Sequence, residues 1–150
     1  MKKLNNNQNG FTLIELIMVM IILGVLAAVA IPRYMDTIEN AEEAAEDAVI
    51  SNVEAALENH AIHTLISDGR AIWPDNPFDA LKQAPQSYTE DGTNADSDQE
   101  WTFVDGSPAY ITHQRSDNSR YKWEYFKGIN SGTDADTTGY LNGRESLSND

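Results

Sequence analysis

The chain has 150 residues, 24 acidic against 10 basic side chains for a formal net charge of −14, and no cysteine. That length is roughly one domain's worth, the acidity argues against a surface built to follow a phosphate backbone, and the missing cysteines exclude both a disulfide staple and a cysteine nucleophile. No G-x-S-x-G elbow and no Walker-type glycine loop occurs, so catalysis has no motif to stand on.

Residues 1–10, MKKLNNNQNG, are polar and carry Lys2 and Lys3; residues 11–31 then hold one charge, Glu15, and every other acid follows residue 31. At ~1.5 Å per residue a helix over residues 11–31 is ~32 Å long, enough to cross a bilayer core of ~30 Å. The two lysines precede the run and only Arg33 follows it before the acids, so the positive-inside rule holds the amino terminus in the cytoplasm and puts the body outside. A secretory signal carries its apolar region ahead of the cleavage site, whereas here the polar segment comes first. Two readings follow: an uncleaved single-span anchor, or cleavage at Gly10 that removes ten polar residues and keeps the apolar helix.

A lone carboxylate in hydrocarbon costs about 2.5 kcal/mol or more on insertion scales, so Glu15 needs a partner, a proton, or a route to the cytoplasmic interface by snorkelling. Pro32 lacks a backbone donor and crowds the carbonyl of Ala28, which predicts a kinked or loosened helix ahead of it.

Gly10-Phe11-Thr12-Leu13-Ile14-Glu15, followed by an apolar run with Gly24 and then Pro32, resembles the class III signal of type IV pilins and type II secretion pseudopilins. The resemblance covers residues 1–35, where a short basic leader, the Gly, the Phe, a Glu five residues beyond the Gly and the later Pro recur at the family's spacing. It implies an α+β, pilin-like fold: a long N-terminal α-helix, kinked near Pro32, with a small C-terminal antiparallel β-sheet. It implies cutting after Gly10 by a prepilin peptidase, N-methylation of Phe11, and pairing of Glu15 with the Phe11 ammonium of a neighbouring subunit, which would set the axial stagger. Loss of helicity between Gly24 and Pro32 within the filament is a further implication, although a gentle proline kink satisfies the sequence equally well. The implied partners are further copies of the chain in a helical filament, the peptidase, an inner-membrane assembly platform, and the membrane itself before assembly. The implied location is the inner membrane for the precursor and a cell-surface or periplasmic filament afterwards.

Beyond Pro32 the pattern becomes amphipathic. Met35, Ile38, Ala41, Ala45, Ala48, Val49, Val53, Ala56, Leu57 and Ile62 recur at steps of three and four among Glu39, Glu42, Glu43, Glu46, Asp47, Glu54 and Glu58. This predicts a helix to about Ile66, stopped by Ser67-Asp68-Gly69, with the acids forming a solvated face. The expected organisation is therefore a leader at 1–10, a transmembrane or filament-core helix at 11–31, an amphipathic helix at 32–66, and a β-rich head with a C-terminal loop at 67–150.

From Arg70 the helical period is lost. The prolines at 74, 77 and 85 and the polar stretch from Thr89 to Glu100 read as loop, with Asp96, Asp98 and Glu100 as solvated acids. Strand-like runs at Trp101–Val104, Ala109–His113 and Tyr121–Phe126 suggest a small antiparallel meander, with Tyr121, Trp123 and Tyr125 turned toward the amphipathic helix. His60 and His63 share a helix face without an evident third metal ligand. His113, Arg115, Arg120, Lys122 and Lys127 form the chief basic concentration, read as a solvated strand face, so a nucleic-acid partner is not expected.

The tail DADTTGYLNGRE, residues 134–145, has the register of an EF-hand loop: Asp134, Asp136, Thr138, the Tyr140 carbonyl, Asn142 and Glu145 at the oxygen-ligand positions, with Gly139 at the sixth. Calcium is thus a candidate ligand. An ordinary solvated turn fits the same composition. The major type II secretion pseudopilins bind calcium in a carboxy-terminal loop, which the resemblance would extend to this tail. The readings in view are a structural filament subunit, of a pilus or of a secretion pseudopilus, and a membrane-anchored binding module. An enzyme accounts for none of these features.

Overall fold

The computed structural model describes residues 10–132 and 136–148. Among these residues one α-helix, α1 (Leu13–Asp68), and a short 3-10 helix (Pro77–Ala80) precede six short strands: β1 (Tyr88–Thr89), β2 (Trp101–Val104), β3 (Ala109–Gln114), β4 (Arg120–Phe126), β5 (Tyr140–Leu141) and β6 (Glu145–Leu147). The chain divides into two compact units at Glu43 and Ala44. The fold is α+β, as the pilin-like reading requires.

In the first unit none of the described residues covers the apolar run. Its side chains from Leu13 to Ile31 are exposed, and Glu15 is the one charged group among them. Such a segment is long and apolar enough to cross a membrane. Helical structure continues through Pro32.

The second unit is built on a stripe of α1. Ile50, Val53, Leu57 and Ala61 are buried at helical spacing, and Glu46, one turn before Ile50, extends the same stripe. Ala45, Ala48 and Ile62, which the sequence pattern assigns to the apolar face, are exposed. The helix ends where Gly69 takes φ +74, the left-handed conformation that terminates helices and that glycine adopts without steric cost.

Strands β2, β3 and β4 pair antiparallel, with Trp101 opposite His113, Phe103 opposite Ile111, and Ile111 in turn opposite Trp123. Because side chains alternate across a strand, Trp101, Phe103, Ile111, Trp123 and Tyr125 share the face that joins the helix stripe in one core. The other face buries Thr102 and Thr112, whose hydroxyls lie 2.9 Å apart, beneath a loop anchored by the Ala95 amide on Thr112.

The sheet is mixed rather than wholly antiparallel, because β1 runs parallel to β2. On the far side β5 and β6 both pair with β4. These three strands are two or three residues long, too short for a periodic signal. The loop ahead of β2 also differs from the expectation at Glu100, which is buried and accepts hydrogen bonds from the Asp96 and Ser97 amides at 2.8 and 3.1 Å.

Candidate functional site

Gly10 and Phe11 lie just before α1 and are exposed, Phe11 at 89%. Thr12 and Glu15 form a reciprocal cap. The Glu15 carboxylate accepts from the Thr12 amide at 2.9 Å and from its hydroxyl at 2.8 Å, while the Glu15 amide donates to Thr12 Oγ1 at 3.3 Å. A Thr at the N-cap and a Glu three residues on is the capping-box arrangement, which satisfies helix-start donors that apolar surroundings would otherwise leave unpaired. The motif T-x-x-E was in the sequence, and its capping role adds to the pairing role that the family resemblance suggests. Gly24 and Pro32 both lie on exposed positions of the same helix.

The densest polar constellation lies at the other unit's core and was not foreseen. Glu46 has no exposed surface. Arg115 grips it with a two-pronged fork, Nε to Oε1 at 2.7 Å and Nη2 to Oε2 at 2.6 Å, and Arg144 Nη1 reaches Oε2 at 2.8 Å. His113 Nδ1 lies 2.9 Å from Oε1. Since an ionised carboxylate can only accept, that nitrogen carries the proton. Burial pushes the Glu46 carboxyl up, but the hydrogen bonds from Arg115, His113 and Arg144 outweigh it and hold the group at about 2. Both guanidinium groups lie over the Tyr121 ring, at 4.2 Å for Arg115 and 5.7 Å for Arg144.

Two expectations are corrected here. Glu46 is not on the solvated acidic face, because it occupies the buried stripe with Ile50 and Val53. His113 and Arg115 are not part of a solvated basic strand face, because alternation from Ile111 turns both toward the helix. Of the remaining cations, Lys122 bridges Glu124 at 2.8 Å and Glu145 at 3.1 Å, and Lys127 pairs with Asp75 at 2.5 Å.

The described members of the proposed calcium set take separate partners. Asp134 lies outside the described residues. Asp136 accepts from the Ser131 amide and hydroxyl and from the Gly132 amide at 2.6, 2.9 and 3.0 Å. Thr138 and the half-buried Gly139 run beside Trp73, Tyr140 pairs with Phe126 in β5, and the Asn142 amide donates to the Glu124 carbonyl. Glu145 sits opposite Lys122 in β6. Phe126 and Lys122 are four residues apart on β4, about 13 Å at the rise of a strand, whereas oxygens around one calcium lie within ~2.6 Å of it. Strands β5 and β6 therefore both line the edge of β4, and the Tyr140 carbonyl and Glu145 carboxylate do not converge. His60 is half-buried and His63 exposed, and among the described residues no three His, Asp or Glu side chains gather as a metal site.

Comparison with known proteins bears on the amino-terminal motif directly. Residues 5–31 match the family model described as the prokaryotic N-terminal methylation motif. A type IV narrow pilus major component of Thermus thermophilus is 31% identical over 108 residues, covering 72% of this chain and 81% of the relative. A type IV major pilin protein of Neisseria gonorrhoeae is 36% identical over 73 residues, 49% of this chain and 31% of the relative. The type II secretion system core protein G of Aeromonas hydrophila is 34% identical over 83 residues, 55% of each. The chain thus spans most of the first relative and a third to about half of the other two. No solved structure matches it. With the apolar helix, the methylation motif and the α+β head in one chain, the protein belongs to the type IV pilin and type II secretion pseudopilin family and is a pilin-like filament subunit.

Proposed function

We propose that the chain is made as a membrane-anchored precursor, is cut after Gly10 by a prepilin peptidase, and polymerises through the helix from Phe11 to Ile31 into a surface or periplasmic filament. The observation that carries this reading is the opening stretch of α1, Leu13 to Ile31, whose apolar side chains are all exposed and which holds one carboxylate, Glu15, at its start. Packing among like helices would cover the apolar surface, and the Phe11 ammonium of a neighbour would meet Glu15. An assembly platform in the inner membrane is the machinery such a route requires. The resemblance to both pilus and secretion proteins leaves two destinations for the filament, which shearing from the cell surface separates from retention in the periplasm.

Mass spectrometry of assembled material tests the processing step. A methylated amino terminus at Phe11 is expected, and an intact Met1 would instead identify an uncleaved anchor. Glu15→Gln tests the pairing, because Gln still serves in a capping box but carries no charge. Filament yield should collapse in Glu15→Gln as in Glu15→Val. Normal yield from Glu15→Gln would mean that capping, not charge, is what assembly needs.

A further inference from the structure

One side of the head carries an open groove of about 610 Å³. Ala61 and Trp73 form its floor, and Ile62 and Leu65, each about half exposed, stand along its wall. Glu54 and Glu58 lie at the end nearer the start of α1. An exposed apolar groove with an acidic end fits an amphipathic helix that begins with a cation.

The chain contains one such segment. Arg33 is the sole Lys or Arg between Lys3 and Arg70. Tyr34, Met35 and Ile38 follow it, exposed at 67%, 55% and 36%, and they fall on one side of the helix by their spacing. Neither Arg33 nor Glu54 nor Glu58 has an ion-pair partner among the described residues.

We propose that the groove receives the Arg33–Ile38 segment of a second copy, with Arg33 beside Glu58 and Glu54 and with Ile38 beside Ile62. The two matches agree in register. Arg33 to Glu58 is an offset of 25 residues and Ile38 to Ile62 one of 24, so two helices running in the same direction satisfy both at once. An antiparallel pairing would carry Ile38 away from Ile62 and toward the acids. At ~1.5 Å per residue the offset corresponds to an axial step of ~37 Å between the two copies. The inference rests on the filament reading above and adds to it a specific contact between the head of one subunit and the helix of another.

The chain has no native cysteine, so the contact can be tested by crosslinking the full chain in filaments from cells carrying only the variant. Ile38→Cys combined with Ile62→Cys should give a ladder of crosslinked oligomers with a short bifunctional thiol reagent, and neither single variant should. Filaments of the double variant without a ladder would overturn the proposal. So would dimers from Ile62→Cys alone, which would identify a second head as the occupant. Charge reversal gives an arm that does not depend on the cysteine variants. Arg33→Glu should lower filament yield severalfold and Glu58→Arg in the same chain should restore it; no restoration would count against the contact. Absence of filaments from the unsubstituted chain would instead defeat the filament reading itself.

Discussion

Arg144 Nη1 sits 2.8 Å from Oε2 of Glu46, a residue 98 positions earlier in the chain. Arg144 leads directly into β6 at Glu145. In a chain without cysteine, this contact fastens the tail to the helix, together with Lys122 bonding to Glu145. Glu46 is held by Arg115, His113 and Arg144 from two other segments, and Arg115 is itself almost wholly buried.

Removing Glu46 should therefore cost far more than removing Arg144. Glu46→Ala leaves Arg115 charged and without its carboxylate in the core, and breaking a buried pair from one side costs roughly 3–5 kcal/mol. Arg144→Ala leaves the Arg115 fork intact and removes, from a partly exposed group, a charge-assisted bond to Glu46 worth roughly 1.5–3 kcal/mol, along with the weaker contacts to Asp47 and the Tyr121 ring. Urea unfolding of the chain in detergent would measure both. Hydrogen exchange should show that Arg144→Ala loosens residues 140–147 ahead of the rest. Uniform loosening of the sheet would show that Arg144 does not act as a tail fastener.

Acid should weaken this arrangement over a defined range. The folded Glu46 carboxyl lies at about 2, below the ordinary 4.5, so its stabilisation is complete above about 4.5 and is lost as pH falls toward 2. Glu46→Gln removes that contribution at neutral pH and should flatten the melting-temperature curve between those values. Glu100, where hydrogen bonds from neighbouring groups outweigh the upward push of burial, and Asp117, held low by the Ser119 hydroxyl and amide, keep titrating in the variant and supply the residual slope. A curve as steep as that of the parent chain would mean that Glu46 does not carry the acid response.

The long helix, its end near Gly69 and the three-strand meander were legible because each is several residues of unbroken period bounded by Gly, Pro or Asp. The amino-terminal motif was legible because it is local. The Glu46 cluster was not, since its other members lie 67 to 98 residues from Glu46 and each looks like a surface residue in isolation. One clue was available: Glu46 stands four residues before Ile50 on the line continued by Val53, Leu57 and Ala61. Ala45 and Ala48 obscured it, because alanine fits an exposed helix face as readily as a buried one. Glu100 was missed for a related reason, in that its partners are backbone amides and leave no sequence signal.

Trp73 is wedged between two chain segments. A Cβ built on Gly128 would lie 2.5 Å from Trp73 Cδ2, and one on Gly139 would lie 2.5 Å from Trp73 Cδ1. Those atoms belong to a ring that is 7% exposed and cannot swing aside easily. Gly128→Ala and Gly139→Ala should each destabilise the head by roughly 1–3 kcal/mol, the usual range for overpacking. Gly143→Ala, where an added Cβ meets nothing within 4 Å, is the control and should be near neutral. Equal melting temperatures for all three would mean that Trp73 yields freely.

Calcium binding by the tail makes a geometric demand that can be measured. For the Tyr140 carbonyl and the Glu145 carboxylate to share one ion, residues 140–147 must leave the edge of β4 and curl, losing the ladder bonds with Arg120–Phe126 and the Lys122 contact to Glu145. The edge-strand arrangement instead satisfies Asp136 through Ser131 and Gly132, and Glu145 through Lys122, without an ion. A ligand that binds only the folded state at a hundredfold excess over Kd would add about 2.7 kcal/mol. The edge-strand geometry predicts that millimolar calcium or a chelator leaves the melting temperature of the chain in detergent unchanged. A rise with calcium, abolished by Asp134→Ala or Glu145→Ala and not reproduced by magnesium, would show that the tail refolds into a ligand loop. In that case hydrogen exchange at the β4 amides facing the tail should quicken on calcium addition while exchange in the β2–β3 pairing stays slow.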